Sequence, residues 1–366
     1  MAEVKHSSRK HAFLSASGAS RWLNCTPSAR IEEKIKETRS VHADEGTLAH
    51  EFANFELEKH FGRITEKEYN RETKKLRKHE LYSDEMEGEV AKYVDYVIET
   101  FNVANTRKGG ATIQIEEQLD FSHIVEQGFG TGDSVVIADG VMEISDLKYG
   151  KGVKVFAKEN PQLMLYGLGA LRIFELAYEI ETVRLTIFQP RLDHFDSWDI
   201  SVKDLYAWAE NEVKPKSKLA YEGEGELQVG DWCKFCKAKA MCRAMVDHNL
   251  ELAKHEFRDP HRLSEEELTD IYSRIDLLVD WANSIGKFML DEAVAGKNWP
   301  GLKIVEGRSN RKWVDELKVS AKLQELGFKK TDYTKETLKG ITDIERLVGK
   351  ADFGPKLKEL VVKPQG

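Results

Sequence analysis

A two-residue turn, Asp139-Gly140, constrains this chain more than any other feature. It sits in GTGDSVVIADGVMEISDLKYG, residues 130–150, between two apolar runs. Asp-Gly in that setting is a strong hairpin signal, because a tight I′ turn needs positive φ at both positions. Counting back from the turn pairs Ala138 with Val141, Ile137 with Met142 and Val135 with Ile144. It also sets Asp133 opposite Asp146. Side chains alternate faces along a strand, so Lys148 shares a face with Asp146.

Two carboxylates directly opposed on a sheet repel, since their Cβ atoms are only about 5 Å apart. A divalent cation between them removes the repulsion, and hard oxygen ligands with room for water suit Mg²⁺ or Mn²⁺. Lys148 is then placed to orient a water or neutralise a phosphate. A surface hairpin with solvated charges is the competing reading.

The chain has 366 residues, enough for one enlarged domain or two. No apolar run is long enough to cross a bilayer. The basic N-terminal stretch lacks the apolar segment of a secretory signal, so a soluble cytoplasmic protein is expected. The net charge of −8 gives no global attraction to nucleic acid, so any such binding needs local basic patches. The four cysteines are Cys25, Cys233, Cys236 and Cys242. That spacing in a cytoplasmic chain is not a disulfide framework and suggests one metal ion or one cluster.

Taken in order, Ser17 or Ser20 is expected to cap a short helix that ends at Cys25. A helix starting near Gly46 carries Leu48, Phe52 and Phe55 on an apolar face, with His50 between them. Residues 62–108 read as a solvated helical insertion. Residues 111–122 alternate as a strand that holds Glu116. Asn160-Pro161 starts a largely buried helix reaching about Tyr178, on which Gln162 and Tyr166 are neighbours. Residues 182–190 and the DSWDISV segment read as strands, with a helix after them. Strand, hairpin, helix and strand make an α/β core with a mixed central sheet. Ser264 and Glu267 form a capping box that opens a long amphipathic helix. WPGLKIVEGRSNRKW reads as hairpin-like. Short charged helices end the chain.

Gly46-x-x-x-His50, Gly130-x-x-Asp133, Asp146-Leu147-Lys148 and Gln162-x-x-x-Tyr166, in that order, resemble the RecB-like branch of the PD-(D/E)XK nucleases. Ser15-x-Ser17-x4-Trp22-x-x-Cys25 and the late C-x2-C-x5-C look like the iron–sulfur members of that branch, which include the AddB helicase-nuclease subunit and the CRISPR adaptation nucleases. The layout is also similar to phage-encoded exonucleases of this kind. The usual Pro-Asp of the signature is Gly132-Asp133 in this chain. The resemblance implies a restriction-endonuclease-like core over 12–250, with helical additions and a mainly helical appendage over 259–366. It implies Mg²⁺ or Mn²⁺ held by His50, Asp133, Asp146 and the Leu147 carbonyl, with Glu116 a further candidate. Lys148 would position or activate water, and Gln162 and Tyr166 would hold the strand or the site geometry. The cysteines would bind a [4Fe–4S] cluster, zinc being the alternative. The implied activity is exonucleolytic DNA cleavage leaving 5′ phosphates in recombination or repair, and an annealing or recombination protein is a possible partner. A DNA-binding mediator without activity and an endonuclease are the other readings.

Overall fold

The computed structural model describes residues 12–35, 41–253, 264–305, 316–334, 340–357 and 360–361. Its centre is a five-stranded mixed sheet in chain order: β1 (Ala111–Asp120), β2 (Phe129–Ala138), β3 (Gly140–Leu147), β4 (Ile180–Gln189) and β5 (His194–Ser201). All neighbours pair antiparallel except β3 and β4. That parallel pair needs a crossover, which is supplied by a helix, α6 below. The fold is α/β with helical additions.

The hairpin register is the expected one, with Val135↔Ile144, Ile137↔Met142 and Ala138↔Val141. The turn differs from the I′ form. Only Gly140 of the two turn residues has positive φ, at 86°. Its N–H donates to the Glu179 carbonyl at 2.6 Å, so the start of β4 also shapes the corner.

Ahead of the sheet come α1 (Ala19–Asn24), α2 (Ser28–Glu33), α3 (Val41–His60), α4 (Glu66–Leu76) and α5 (Asp84–Asn105). After β3 come α6 (Pro161–Phe174), α7 (Val202–Trp208), α8 (Lys214–Glu222), α9 (Arg243–Ala253) and α10 (Glu265–Val294). Alternation sends Val135, Ile137, Met142, Ile144, Val183, Leu185 and Ile187 to one face, where they pack on α6. α6 starts as its sequence predicts. Asn160 accepts from the N–H groups of Gln162 and Leu163, and Pro161 fills the first helical position. Leu163 to Leu171 are all buried, and each such leucine stabilises the fold by about 2 kcal/mol. Gly169 lets the helix approach β1 closely, because a Cβ there would lie 3.0 Å from the Leu119 carbonyl carbon.

The opposite face carries a second core. Leu48, Phe52 and Leu57 of α3 meet Met86, Val90, Tyr93 and Val97 of α5 over Ile113, Ile115 and Val136. The expected solvated insertion is therefore corrected: α5 is a covering layer of the sheet. Its apolar positions recur every three or four residues among charged ones, which conceals the stripe in a linear reading. α3 begins at Val41, ahead of the expected Gly46. Ser15, not Ser17 or Ser20, caps the short turn Ala16–Gly18 that leads into α1.

The chain divides into two compact units, residues 1–299 and 300–366. α10 belongs to the first, and its capping box forms as expected. The described part of the second consists of short helices. Residues 306–313 of the expected hairpin-like piece lie outside the described residues.

Candidate active site

Continuing the hairpin register one step beyond Ser134↔Ser145 brings Asp133 beside Asp146. The carboxylates belong to a cleft of about 570 Å³ also lined by His50, Glu116, Lys148, Gln162 and Tyr166. Every sequence-predicted catalytic side chain is on that lining. Apart from Phe129, its other walls are small or hydroxylic and include Ser15, Ser17, Thr47 and Thr131. These came with no motif beyond the first two serines.

Asp133 is held from two sides. His50 Nδ1 lies 3.1 Å from Oδ1, and the Leu147 backbone N–H donates to Oδ2 at 2.7 Å. Burial alone would raise the Asp133 pKa, but the His50 charge and hydrogen bond, with the Leu147 N–H, hold it below the usual carboxylate range. Burial opposes the His50 charge, yet Asp133 and the other carboxylates raise its pKa to about 9.

Asp146 is buried. Gln162 Nε2 donates to its Oδ1 at 3.1 Å, and Lys148 Nζ lies 2.8 Å from Oδ2. That second contact is an ion pair to a buried oxygen that has no further hydrogen-bond partner. Burial, then repulsion from Asp133, raises the Asp146 pKa against the pull of Lys148. The set closes through α6, where Lys148 Nζ donates to Gln162 Oε1 at 3.0 Å and Gln162 Nε2 donates to the Tyr166 hydroxyl at 3.1 Å.

Glu116 enters from β1. Its register neighbours are Ile115↔Ser134 and Glu117↔Gly132, which put it opposite Asp133. Its φ is 50°, a left-handed conformation costly for a residue with a side chain. The residue is exposed by area, but its carboxyl reaches the cleft. Desolvation there and the charge of Asp133 raise its pKa to about 7, against the pull of His50. Ligand atoms of His50, Glu116 and Asp133 all lie within 4.8 Å of one another, a spacing that one metal ion can span. Asp146 stands beside this group and not within it. The surplus of carboxylates matches what a hard divalent cation takes.

The four cysteines line one enclosed space with Ser28, Trp232 and Met245. Backbone groups of Gln228 and Ser28 hydrogen-bond Cys25, while Gly230 serves Cys233 and Ala238 serves Cys236, all favouring thiolate. Burial nevertheless raises the Cys25 and Cys233 thiols and pushes Cys236 up to about 12. The two cysteine-bearing segments are stitched together. Thr26 Oγ1 donates to the Glu224 carbonyl, Arg30 Nε to the Tyr221 carbonyl and the Lys237 N–H to Glu32 Oε1. The Ser28 hydroxyl is buried without a partner.

Among the described residues no helix is long and apolar enough to cross a membrane. One solved structure, "Crystal structure of SSO0001", matches 62% of this chain and 97% of its own, at 13% identity and a TM-score of 0.24. Residues 11–366 match the model of the family described as "Protein of unknown function (DUF2800)", and the chain belongs to that family.

Proposed function

We propose that this protein is a metal-dependent DNA exonuclease that hydrolyses phosphodiester bonds to leave 5′ phosphates, acting in recombination or repair. The observation that carries the reading is the meeting of Asp133, Asp146 and Lys148 with His50 and Glu116 in one cleft. The end-dependence and the 5′-phosphate product follow from the resemblance to RecB-like nucleases.

His50, Glu116, Asp133 and Asp146, with the Leu147 carbonyl, are the residues that would hold Mg²⁺ or Mn²⁺. Such an ion supplies Lewis acidity at the scissile phosphate and offsets its charge. The protein does the rest. The Lys148 ammonium, fixed by Asp146 and Gln162, positions or activates the attacking water. Gln162 fixes the orientation of Asp146 and links it to Tyr166, and the two would hold the DNA strand or the site geometry. The partner is DNA, with an annealing or recombination protein as a further candidate, and the setting is the cytoplasm.

At the cysteines we propose a [4Fe–4S] cluster. The supporting chemistry is four thiols on one space with backbone hydrogen bonds to three of them. No three sulfurs close to within 4.8 Å among the described residues, whereas zinc–sulfur bonds of about 2.3 Å bring thiolates nearer than that. A single zinc ion is the second reading, favoured by a cavity volume of only about 20 Å³. Iron and zinc analysis after anaerobic purification decides between them.

The functional test is digestion of end-labelled linear DNA and closed circular DNA with Mg²⁺ or Mn²⁺. Degradation of linear DNA alone, lost in Asp146→Ala, is the expected result. An unchanged rate in that variant removes the site assignment. Cutting of circular DNA makes the protein an endonuclease.

A further inference from the structure

Arg191 lies outside the cleft lining and in none of the motifs, yet it joins the elements that the cleft depends on. It follows β4 in the turn Pro190–Leu192 and is largely covered, its side chain 13% exposed. Nη1 donates to Glu45 Oε1 at 2.9 Å. Its guanidinium carbon stands 4.6 Å from the centre of the Tyr149 ring. Nε has Glu85 of α5 at 4.0 Å, and Lys151 Nζ donates to that same carboxylate at 3.1 Å.

Two of these partners, Glu45 and Tyr149, are close along the chain to residues of the candidate site. Glu45 is on α3, little more than one turn before His50. Tyr149 follows Lys148, whose own N–H donates to the Phe188 carbonyl of β4 at 2.9 Å. The chain running from Lys148 to Tyr149 and the helix bearing His50 thus meet on one guanidinium. His50 is the only member of the 4.8 Å ligand group that comes from outside the sheet. No sheet ladder fixes its distance from Asp133, so packing and this contact must do so.

We propose that Arg191 is a positioning residue: clamped between Glu45 and Tyr149, it holds α3 so that His50 meets Asp133 at the spacing a divalent cation needs. The inference rests on the metal-site reading above. Arg suits the role better than Lys, because a planar guanidinium can pair in its plane and stack on its face at once, while an ammonium is a point charge.

The test is calorimetric titration of Mn²⁺ into the full-length chain and into Arg191→Lys, Glu45→Gln and the double variant, with melting temperatures recorded alongside. Both single variants should weaken Mn²⁺ binding by about 10–100-fold, the range for residues that orient metal ligands. The double variant should lose little more than either alone, because the same contact is weakened in all three. Excess Mn²⁺ should restore kcat with KM for DNA unchanged, which a general loss of fold would not allow. Glu45 is half-buried and makes its contact at a helix start, so Glu45→Gln keeps the test open if Arg191→Lys does not fold. Native-like Mn²⁺ affinity in a folded Glu45→Gln or Arg191→Lys protein overturns the proposal. Absence of Asp133-dependent Mn²⁺ binding in the unaltered chain overturns the metal site and the clamp with it.

Discussion

His50 Nδ1 lies 3.1 Å from Asp133 Oδ1, joining a helix on one side of the sheet to the strand that carries the hairpin carboxylate. Without a metal this contact is an ion pair, since His50 holds its proton to about pH 9. With a metal the imidazole must be neutral to bind. The same two residues therefore have two states, and the cation selects between them.

Metal affinity is expected to rise with pH. His50 titrates near 9 and Glu116 near 7, and both protons must leave when a cation enters. Mn²⁺ titrations should show tighter binding at pH 9 than at pH 6, with protons released into the buffer. Affinity independent of pH across that window would exclude His50 and Glu116 as ligands.

The metal-free protein has the opposite stability trend. The folded pKa of His50 lies above its ordinary 6.5, so its stabilising pair is fully present below 6.5 and is lost as pH rises through about 9. The raised Glu116 pKa has the same sign, losing stability as pH rises from the ordinary carboxylate range through about 7. In EDTA the melting temperature should fall from pH 6 to pH 9 more steeply than in His50→Gln, and Mn²⁺ should reverse the fall. Equal slopes in the two proteins would contradict the pairing.

Lys148→Ala should lower the cleavage rate by about 10²–10³-fold, the scale of losing one preorganised electrostatic group. The substitution removes the ion pair to the buried Asp146 carboxylate and the hydrogen bond to Gln162. Single-turnover rates and circular dichroism check the outcome together. A folded variant of full activity would remove Lys148 from the chemistry.

Two glycines separate packing from catalysis. A Cβ at Gly169 would meet Leu119 backbone at 3.0 Å, so Gly169→Ala should destabilise by about 1–3 kcal/mol through overpacking. A Cβ at Gly130 would lie 2.6 Å from the Tyr166 ring, at the cleft wall. Gly130→Ala should therefore move Tyr166 and reduce activity more than stability. Chemical denaturation read beside kinetics distinguishes the two, and the reverse ranking would contradict the packing described.

Much of this arrangement is legible in the sequence where short-range rules act. Asp139-Gly140 with flanking alternation gives the register, and the register gives the Asp133–Asp146 pairing. Asn160-Pro161 gives the start of α6, and helical spacing then joins Gln162 to Tyr166. Long-range packing is less visible. α5 covers the sheet through Tyr93, whose hydroxyl donates to the Ser145 carbonyl and accepts from the Ser134 hydroxyl, yet its charged periphery reads as solvated. The turn at Asp139 takes a form set by the Glu179 carbonyl, a partner remote in the chain. The left-handed backbone that turns Glu116 into the cleft follows from no residue preference, because glutamate disfavours it. Arg191 follows a proline at a strand end and carries no local signal of its contacts.

Everything proposed for this cleft requires a cation seated among His50, Glu116, Asp133 and Asp146. Crystals soaked in Mn²⁺ and measured at the manganese absorption edge test it directly. The prediction is an anomalous peak within bonding distance of Asp133 and His50 that vanishes in Asp133→Ala. Soaked crystals with no peak in that cleft, or a peak indifferent to the Asp133 substitution, would contradict it.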